Sequence, residues 1–429
     1  MINTTPTYNL KVVLKETGLA ADTLRAWERR YGLPKPIRSA GGHRLYSQRD
    51  IETIKWLVAR QAEGLSISRA VDLWNEQTSS GTDLLVDFVT PGPNNSTADA
   101  LESYRVEWIS ACMAFNEYLA EKTLNQAFGI FPLETVCTAV LQRGLSEMGD
   151  KWYRNEATVQ QEHFTAALAQ RKLDALIAAS PLPVHSQMVM MGATPGEDHY
   201  FSLVLMTLLM RRRGFPVIYL GANVPLMQFD ETLSLVKPAL IVLSAQQLVT
   251  SAALFEVTKR LGHFNTKIAY GGRIFTLLPE LRRRIPAHFL GETIEAAVQN
   301  MELLLTLNIS TPQVEPISIQ DTEIAEQFRR NRTMIDLNTL NNINKMQIPD
   351  NYLHLALESL GDNIYSAASF GYMDALKVEM DWIIGLMEQR KVDPTTLKPL
   401  IHAYTQSVEK AMGQSGREII DWLSNKAIV

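Results

Sequence analysis

His199 lies where an imidazole can do chemistry. The sequence Gly196-Glu197-Asp198-His199 follows a short apolar run and precedes a stretch of helical period. At such a strand-to-helix turn a histidine points its ring over the sheet, where it can ligate a metal or contact a phosphate. An acidic neighbour can orient the ring through its other nitrogen. Taken alone, such a histidine is more often an ordinary surface or core residue, so this interpretation depends on neighbouring features.

Small residues at the ends of two further apolar runs predict a space beside that turn. Ser244 ends the third run, and Gly271 and Gly272 follow the fourth. In an open parallel sheet, a ligand sits over the carboxyl ends of the strands. We therefore expect a slot into the sheet at Ser244 and the glycine pair.

A tryptophan and an acid-imidazole pair are spaced along a helical segment. Trp152 is followed ten residues later by Glu162 and then by His163. Ten helical residues span about 15 Å, so these side chains can reach different parts of one large flat ligand. The alternative is a core tryptophan with an unrelated surface Glu-His pair.

Positive charge is concentrated at the start of the chain. Residues 1–75 carry 12 Lys and Arg against 7 Asp and Glu, while the remainder carries 29 against 39. A basic head on an acidic body favours a polyanion partner for the head alone. Helices over 8–17 and 20–31, joined by a tight turn, are typical of a motif that reads a DNA groove. The candidate DNA contacts are Arg25, Arg29, Arg30, Tyr31, Arg38, His43, Arg44 and Tyr46.

The chain of 429 residues is long enough for about three domains at roughly 150 residues each. Its periodicity predicts a multidomain α and α/β protein: a winged helix-turn-helix head, a four-helix bundle with breaks at Pro132 and Gly144, a flavodoxin-like (Rossmann-type) five-stranded parallel sheet, and an all-α C-terminal region. The apolar runs that predict strands are 187–191, 216–220, 239–243, 267–270 and 287–290. The predicted boundaries are 1–76 for the head, 77–97 for a flexible linker, 98–183 for the bundle, 184–312 for the sheet domain and 313–429 for the C-terminal region.

Composition argues against several classes of protein. The only cysteines, Cys112 and Cys137, lie in apolar helical stretches without the spacing of a zinc or CxxC site. So few cysteines, without pairing motifs, are typical of a protein in the reducing cytoplasm. No stretch approaches the roughly 20 apolar residues that cross a bilayer, and the first ten residues do not resemble a signal peptide. We therefore expect a cytoplasmic protein with no membrane partner.

The head resembles the DNA-binding domain of the MerR family. The resemblance rests on residues 23–33, TLRAWERRYGL, followed by residues 41–46, GGHRLY. It implies that the second helix enters the major groove of double-stranded operator DNA, with the hairpin wing beside it. It also implies that two protomers bind a two-fold related operator, as a homo-oligomer such as a dimer or tetramer.

The body resembles the B12-binding domain of methionine synthase and its relatives, through the helical bundle, the His199 turn, Ser244 and the glycine pair. With the MerR-like head, the spacing from Trp152 to Glu162 and His163 resembles the CarH-type family of light-responsive, B12-dependent repressors. The residues that this resemblance assigns to adenosylcobalamin are Trp152, Glu162, His163, Glu197, Asp198, His199, Ser244, Gly271 and Gly272.

The family resemblance also implies roles for those residues. His199 would be the lower ligand of cobalt, and the nucleotide tail would enter the slot at Ser244 and the glycines. Trp152 would pack on the upper adenosyl group, with Glu162 and His163 nearby. Light would break the cobalt-carbon bond, after which the bundle would move and the DNA-binding assembly would come apart.

Two positions depart from the family pattern. Ser202 stands where the lower-ligand motif usually has glycine, which alters the approach of the corrin edge or tail. Tyr153 stands where studied repressors have the histidine that becomes the upper ligand after illumination. A bis-histidine product through that position is therefore not expected, which leaves His163 or water for the upper site.

The C-terminal region is an addition to the simple members of the family. Its run from Met373 to Met387, with Tyr372 and Trp382, favours a helical cap or dimerisation element. A second chromophore such as a bilin is the alternative, because photocobilins carry a bilin-binding domain after their B12 domain.

The leading hypothesis is a cobalamin-dependent, light-responsive regulator of transcription, and more specifically a repressor. One alternative is a MerR-type regulator that senses B12 or a protein partner without light. Another is a B12-dependent methyl carrier or mutase fragment. The enzyme reading is weaker because the sequence lacks a TIM-barrel substrate domain. We therefore expect a protein that is not an enzyme.

Overall fold

The computed structural model describes residues 6–17, 19–38, 42, 44–62, 66–79, 97–264, 266–343 and 350–426. The chain forms two compact units, residues 1–144 and residues 145–429. Within the described residues, no helix is both long enough and apolar enough to cross a bilayer.

The head is a winged helix-turn-helix, as predicted. Leu24 and Trp27 on its second helix are buried, and Gly32 ends that helix in the left-handed conformation. Tyr8 pairs with Tyr46 in a small sheet, so the first helix begins at Leu10 and not at Tyr8. The elements are β1 (Tyr8–Asn9), α1 (Leu10–Thr17), α2 (Ala21–Tyr31), β2 (Ile37–Arg38), β3 (Arg44–Tyr46), α3 (Gln48–Ala62) and α4 (Ile67–Ser79).

The structure describes only the two ends of the predicted linker. Helix α4 continues to Ser79, and the next helix begins at Thr97, so both ends of the segment 77–97 are helical. Residues 80–96 lie outside the described residues.

The prediction that Gly144 breaks a helix is wrong. Gly144 lies in a helical run that continues to Tyr153, and a Cβ there would lie 2.6 Å from the fully buried ring of Trp108. The glycine therefore permits close packing. A break that the prediction missed falls at Phe115, whose φ is +52°, and at Asn116, which caps the following helix. The elements are α5 (Thr97–Met113), α6 (Glu117–Ile130), α7 (Leu133–Val136), a π-helical turn (Cys137–Gln142) and α8 (Arg143–Tyr153).

The second unit contains the five-stranded parallel sheet that the sequence predicts. Its strand order is β5-β4-β6-β7-β8, the flavodoxin-like arrangement. Strands β4 and β6 are buried at every position, which explains their uninterrupted apolar sequence. The elements are α9 (Val159–Ala178), β4 (Val189–Ala193), α10 (Phe201–Arg212), β5 (Val217–Tyr219), α11 (Phe229–Val236), β6 (Leu240–Ser244), α12 (Leu248–Leu261), β7 (Lys267–Gly271), α13 (Arg273–Leu277), β8 (His288–Phe289) and α14 (Ile294–Thr306).

The C-terminal region forms helices joined by turns, after a segment without regular secondary structure that ends at Ser318, and it shares a hydrophobic core with the sheet domain. The rings of Phe255 and Phe370 pack with centroids 5.2 Å apart and join the two parts of this core. The region is therefore packed directly on the sheet domain. Its helices are α15 (Ile319–Ile343), α16 (Asp350–Ser369), α17 (Leu376–Gln389), α18 (Lys398–Met412) and α19 (Arg417–Lys426).

Candidate functional site

The carboxyl ends of the three central strands meet in register. Ala193 of β4 pairs with Ser244 of β6, which in turn pairs with Gly271 of β7. The loop that carries His199 therefore leaves the sheet beside both features predicted to form a slot. This edge is where an open α/β sheet binds its ligands.

His199 is held by a buried carboxylate. Its Nδ1 lies 2.7 Å from Oε1 of Glu197, and its backbone N–H donates to the same oxygen over 2.9 Å. The His199 side chain is 67% exposed, whereas that of Glu197 is 1% exposed. An ionised Glu197 requires the proton on Nδ1, which leaves the Nε2 lone pair for a metal.

The charge on Glu197 is stabilised from several directions. Burial by itself would raise the pKa of Glu197, but hydrogen bonds from the His199 ring, Thr250 and two backbone amides hold it below its ordinary value. The hydrogen bond to Glu197 raises the pKa of His199, burial opposes this rise, and the charges of Glu197, Asp198 and Glu162 add to it. Glu162 therefore acts electrostatically on the same imidazole.

Residues that the sequence analysis did not identify hold this loop in place. Oε2 of Glu197 accepts a 2.6 Å hydrogen bond from the backbone of Gln246 and a 2.7 Å bond from the hydroxyl of Thr250. Oδ1 of Asn223 accepts from the backbone of Gly196 over 2.8 Å. Asn223 and Gln246 lie in the loops that follow β5 and β6, whereas Thr250 lies in the first turn of α12, so their positions in the loops are the signal that the sequence carries for the first two only.

The predicted slot has an unsatisfied hydroxyl and space for a ligand. Oγ of Ser244 is buried and has no hydrogen-bond partner among the described residues. A Cβ at Gly271 would meet nothing within 4 Å, so the backbone borders open space there. Gly272 has φ +135°, and a Cβ at that residue would collide with the carbonyl of Ala245.

These features fit cobalamin. His199 provides one imidazole nitrogen for cobalt, the Ser244 hydroxyl lacks a partner, and the Gly271-Gly272 backbone gives a tail close access to the sheet. Ser202, the departure from the family motif, lies half-buried in the first turn of α10.

The structure places Trp152 against the C-terminal region. Its ring stacks with that of Trp382 at a centroid distance of 6.5 Å. Glu162 and His163 pair with each other at 2.7 Å in the first turns of α9, and the His163 side chain is 76% exposed. Whether all three side chains surround one upper ligand stays a prediction.

The head presents a cationic helix and a wing that are joined by one carboxylate. Glu28 on α2 accepts hydrogen bonds from Nε of Arg44 over 2.9 Å and from the hydroxyl of Tyr46 over 2.6 Å. Arg25 and Arg29 are exposed on α2, and the Arg25 guanidinium lies 3.5 Å from Asp22. These exposed cations are suited to phosphate contacts.

One predicted DNA contact is corrected by the structure. Tyr46 is fully buried, so it supports the wing instead of lining its outer surface. Burial and the hydrogen bond to Glu28 raise the pKa of Tyr46 above its ordinary value. Arg38 lies opposite Arg44 in the hairpin, and Arg30 lies 5.5 Å from the Tyr31 ring centroid. The predicted contact His43 lies outside the described residues.

Comparisons with known proteins identify two domains of the chain. Residues 8–77 match the MerR HTH family of regulatory proteins, and residues 106–177 match the B12 binding domain. The HTH-type transcriptional repressor CarH of Myxococcus xanthus is 29% identical over 238 residues, which are 56% of this chain and 78% of that protein. The monomethylamine corrinoid protein of Methanosarcina barkeri aligns with 48% of this chain and 100% of its own, at 19% identity and a TM-score of 0.41.

A second relative matches over a similar share of the chain. The HTH-type transcriptional repressor CarA of Myxococcus xanthus is 30% identical over 242 residues, 56% of this chain and 76% of its own length. Given that identity and coverage, together with both domain matches, the chain belongs to the CarA and CarH family of MerR-type transcriptional regulators with a B12 binding domain.

Proposed function

We propose that this protein is a cobalamin-dependent, light-responsive regulator of transcription, acting as a repressor, that binds operator DNA as a homo-oligomer in the cytoplasm. The observation that carries the proposal is the His199-Glu197 pair at the carboxyl edge of the sheet, beside the unpartnered hydroxyl of Ser244. Membership of a family with repressors named CarA and CarH supports the coupling of this site to DNA binding.

Each part of the site has a role in this proposal. His199 would hold cobalt through Nε2, with Glu197 fixing the tautomer and Asp198 adding negative charge. Ser244, Gly271 and Gly272 would receive the nucleotide tail. When bound, adenosylcobalamin supplies a cobalt-carbon bond that visible light breaks.

The upper side of the site would distinguish the ligand states. Trp152, with Glu162 and His163, would contact the adenosyl group and favour the conformation that binds it. A ligand shifts such an equilibrium only by its difference in affinity for the two conformations. The contacts that Trp152 gains with the upper ligand would therefore set the size of the response.

The direct test uses the full-length protein with adenosylcobalamin in the dark and after green light. Visible absorption, size-exclusion chromatography and binding to a DNA fragment selected from a random library are measured together. We expect light to change the spectrum, the oligomer and DNA affinity in parallel. DNA binding that depends on B12 but not on light would favour the light-independent regulator, whereas methyl transfer with added partner proteins would favour the carrier.

A variant of the head separates DNA contact from ligand binding. Arg25→Ala should weaken DNA binding and reduce the dependence of log affinity on log salt by about 1, because one phosphate contact is lost. Arg417→Ala, which removes an exposed arginine far along the chain, is the control. Corrinoid uptake should be unchanged in both variants, and a loss of uptake in Arg25→Ala would indicate misfolding instead.

A bilin bound as a second chromophore in the C-terminal region is a separate proposal. Met373 and Met380 are buried in the hydrophobic core, which supports the alternative that much of this methionine-rich run is packing. A red-absorbing band in protein produced with a bilin supply would support the chromophore.

A further inference from the structure

The C-terminal region contacts the predicted upper-ligand residue on its aromatic ring. Trp382 of α17 stacks on Trp152 with an angle of 30° between the ring planes. The guanidinium carbon of Arg390 lies 5.1 Å from the centroid of the same Trp152 ring. Aromatic stacking and a cation over a tryptophan face both restrict how that ring can turn.

Arg390 also holds the backbone that carries Trp152. Its two terminal nitrogens donate to the carbonyl oxygens of Trp152 and Tyr153, each over 3.3 Å. These carbonyls belong to the last turn of α8, and the Trp152 carbonyl also accepts a hydrogen bond from the backbone of Asn155 over 3.0 Å. A cation is favoured at that end of a helix by its dipole.

Tyr153 completes the contact from the side of α8. Its hydroxyl donates to the carbonyl of Trp382 over 3.4 Å, and its ring lies 6.1 Å from the Trp382 ring. A Cβ at Gly385 would collide with that hydroxyl, so glycine at this helical position permits the approach. The residue that departs from the repressor pattern, Tyr153, thus binds the region that simple members of the family lack.

The same helix reaches the other side of the ligand site. Oε1 of Glu379 on α17 accepts a hydrogen bond from the backbone of Leu248, the first residue of α12. Helix α12 follows β6, whose last residue is Ser244. Helix α17 therefore spans from the Trp152 backbone to the element behind the predicted tail slot.

We propose that Trp382 and Arg390 are positioning residues for Trp152, so that the C-terminal helical region sets how strongly the protein distinguishes corrinoids by their upper ligand. This inference rests on the proposed function, because it takes Trp152 as the residue that faces the upper ligand. In that proposal the indole would contact a bulky adenosyl group in one orientation, whereas a hydroxyl ligand would be too small to make the contact. Loss of either positioning residue should therefore weaken the binding of adenosylcobalamin and leave the binding of hydroxocobalamin nearly unchanged.

The first experiment measures the affinity of the full-length protein for both corrinoids in the dark by absorbance titration. Trp382→Ala and Arg390→Ala should each lower the preference for adenosylcobalamin by roughly three- to tenfold, the range expected for one aromatic or cation contact. Hydroxocobalamin affinity should stay within about twofold of wild type, and Arg390→Lys should recover part of the preference. Lys377→Ala, an exposed residue of the same helix, is the control.

The second experiment uses the protein without corrinoid. Chemical unfolding of Trp152→Ala, Trp382→Ala and the double variant gives the coupling between the two rings, and near-ultraviolet circular dichroism follows their stacking. We expect a favourable coupling, with the tryptophan signal changed similarly in both single variants.

The outcomes separate this inference from the proposed function. If Trp382→Ala loses affinity for both corrinoids equally, Trp382 has a purely structural role and the inference is overturned. An unchanged preference, or the absence of coupling between the rings, would also overturn it. A wild-type protein that binds no corrinoid would overturn the proposed function, and the specificity role with it, even where the rings are coupled.

Discussion

The loop that carries His199 and the surface that carries Trp152 are built differently. Glu197 holds the His199 loop through hydrogen bonds of 2.6 to 2.9 Å at a side chain that is 1% exposed. Arg390 donates hydrogen bonds of 3.3 Å to the carbonyl oxygens of Trp152 and Tyr153. The Trp152 ring also stacks on Trp382, which is 38% exposed. Short bonds to a buried charge fix one geometry, whereas long bonds near solvent are exchanged easily.

This contrast suggests a division of labour within the second unit. Short hydrogen bonds to a buried carboxylate pre-organise the His199 loop, the lower side of the proposed site, as would suit metal ligation. The Trp152 surface, the upper side of the proposed site, has longer and more exposed contacts, which would suit a surface that responds to the presence of a chemical group. Variants of the His199 loop should therefore lose much stability, whereas variants of the Trp152 surface should change stability only slightly.

The largest expected effect is at Glu197. In Glu197→Ala, the donors on Gln246, Thr250 and His199 lose a buried charged acceptor, which should lower the free energy of unfolding by about 3–5 kcal/mol. His199→Ala removes one of the four hydrogen bonds to that carboxylate, and because the other three remain it should lower this free energy by a smaller amount, about 1–2 kcal/mol. Chemical unfolding of the two variants measures this difference.

The same two variants should differ in how they affect the ligand. His199→Ala should abolish the absorption signature of protein-imidazole ligation, while folding is kept. Where Glu197→Ala still folds, corrinoid affinity should fall about 10–100-fold, as when a partner of a metal-ligating histidine is removed. An unchanged spectrum and affinity in His199→Ala would contradict the ligand assignment.

Two adjacent glycines test rigidity next to the slot. Gly272→Ala puts a Cβ against the carbonyl of Ala245 at a φ that alanine rarely adopts, and should cost about 2–4 kcal/mol. Gly271→Ala meets open space, so stability should change by less than about 0.5 kcal/mol. Its methyl group should instead narrow the slot and weaken corrinoid binding roughly tenfold. Thermal unfolding and dark titration distinguish the two, and equal stability of both variants would argue against a rigid lower side.

A third glycine tests the upper side in the same way. Gly385→Ala also creates an overlap, but with the hydroxyl at the end of the Tyr153 side chain, which can move aside. Alanine favours the helix by up to about 1 kcal/mol, so the net change in stability should be within about 1 kcal/mol. The near-ultraviolet signal of the tryptophans should nevertheless change, because Tyr153 and Trp382 separate. A loss as large as that of Gly272→Ala would show that this side is as rigid as the other.

Sequence patterns are sufficient to predict those elements whose controlling interactions are local. The apolar runs predicted all five strands and the flavodoxin-like class, and the turn residues located His199, Ser244 and the glycine pair. The contact between Trp152 and Trp382 joins residues 230 positions apart and leaves no local periodicity that would predict it. The prediction at Gly144 is wrong because glycine is equally compatible with a helix break and with close packing against a distant ring, here that of Trp108. Tyr46 was misplaced for a related reason, because a wing tyrosine can face DNA or the core.

The smallest effect concerns the acid that joins α17 to α12. Burial raises the pKa of Glu379 above its ordinary value, although its hydrogen bond from Leu248 and the charge of Arg273 oppose the rise. Because folding favours the protonated form, the contribution of Glu379 to stability is full at acid pH and is lost as the pH rises through the raised pKa. Glu379→Gln keeps an acceptor for the Leu248 amide and does not ionise, so its contribution is independent of pH.

Thermal unfolding from pH 4 to pH 8 measures this difference. Glu379→Gln should match wild type near pH 4 and unfold at a slightly higher temperature at pH 8, by no more than about 2 °C, since roughly 1 kcal/mol shifts Tm by 2–4 °C in a domain of 150–250 residues. Glu388→Gln, on an exposed position of the same helix, controls for the loss of a surface charge. A variant that is less stable than wild type at pH 8 would mean that the ionised carboxylate holds α17 firmly. Helix α17, which carries Trp382, would then be anchored by a charge as the His199 loop is, and the contrast between the two sides would fail.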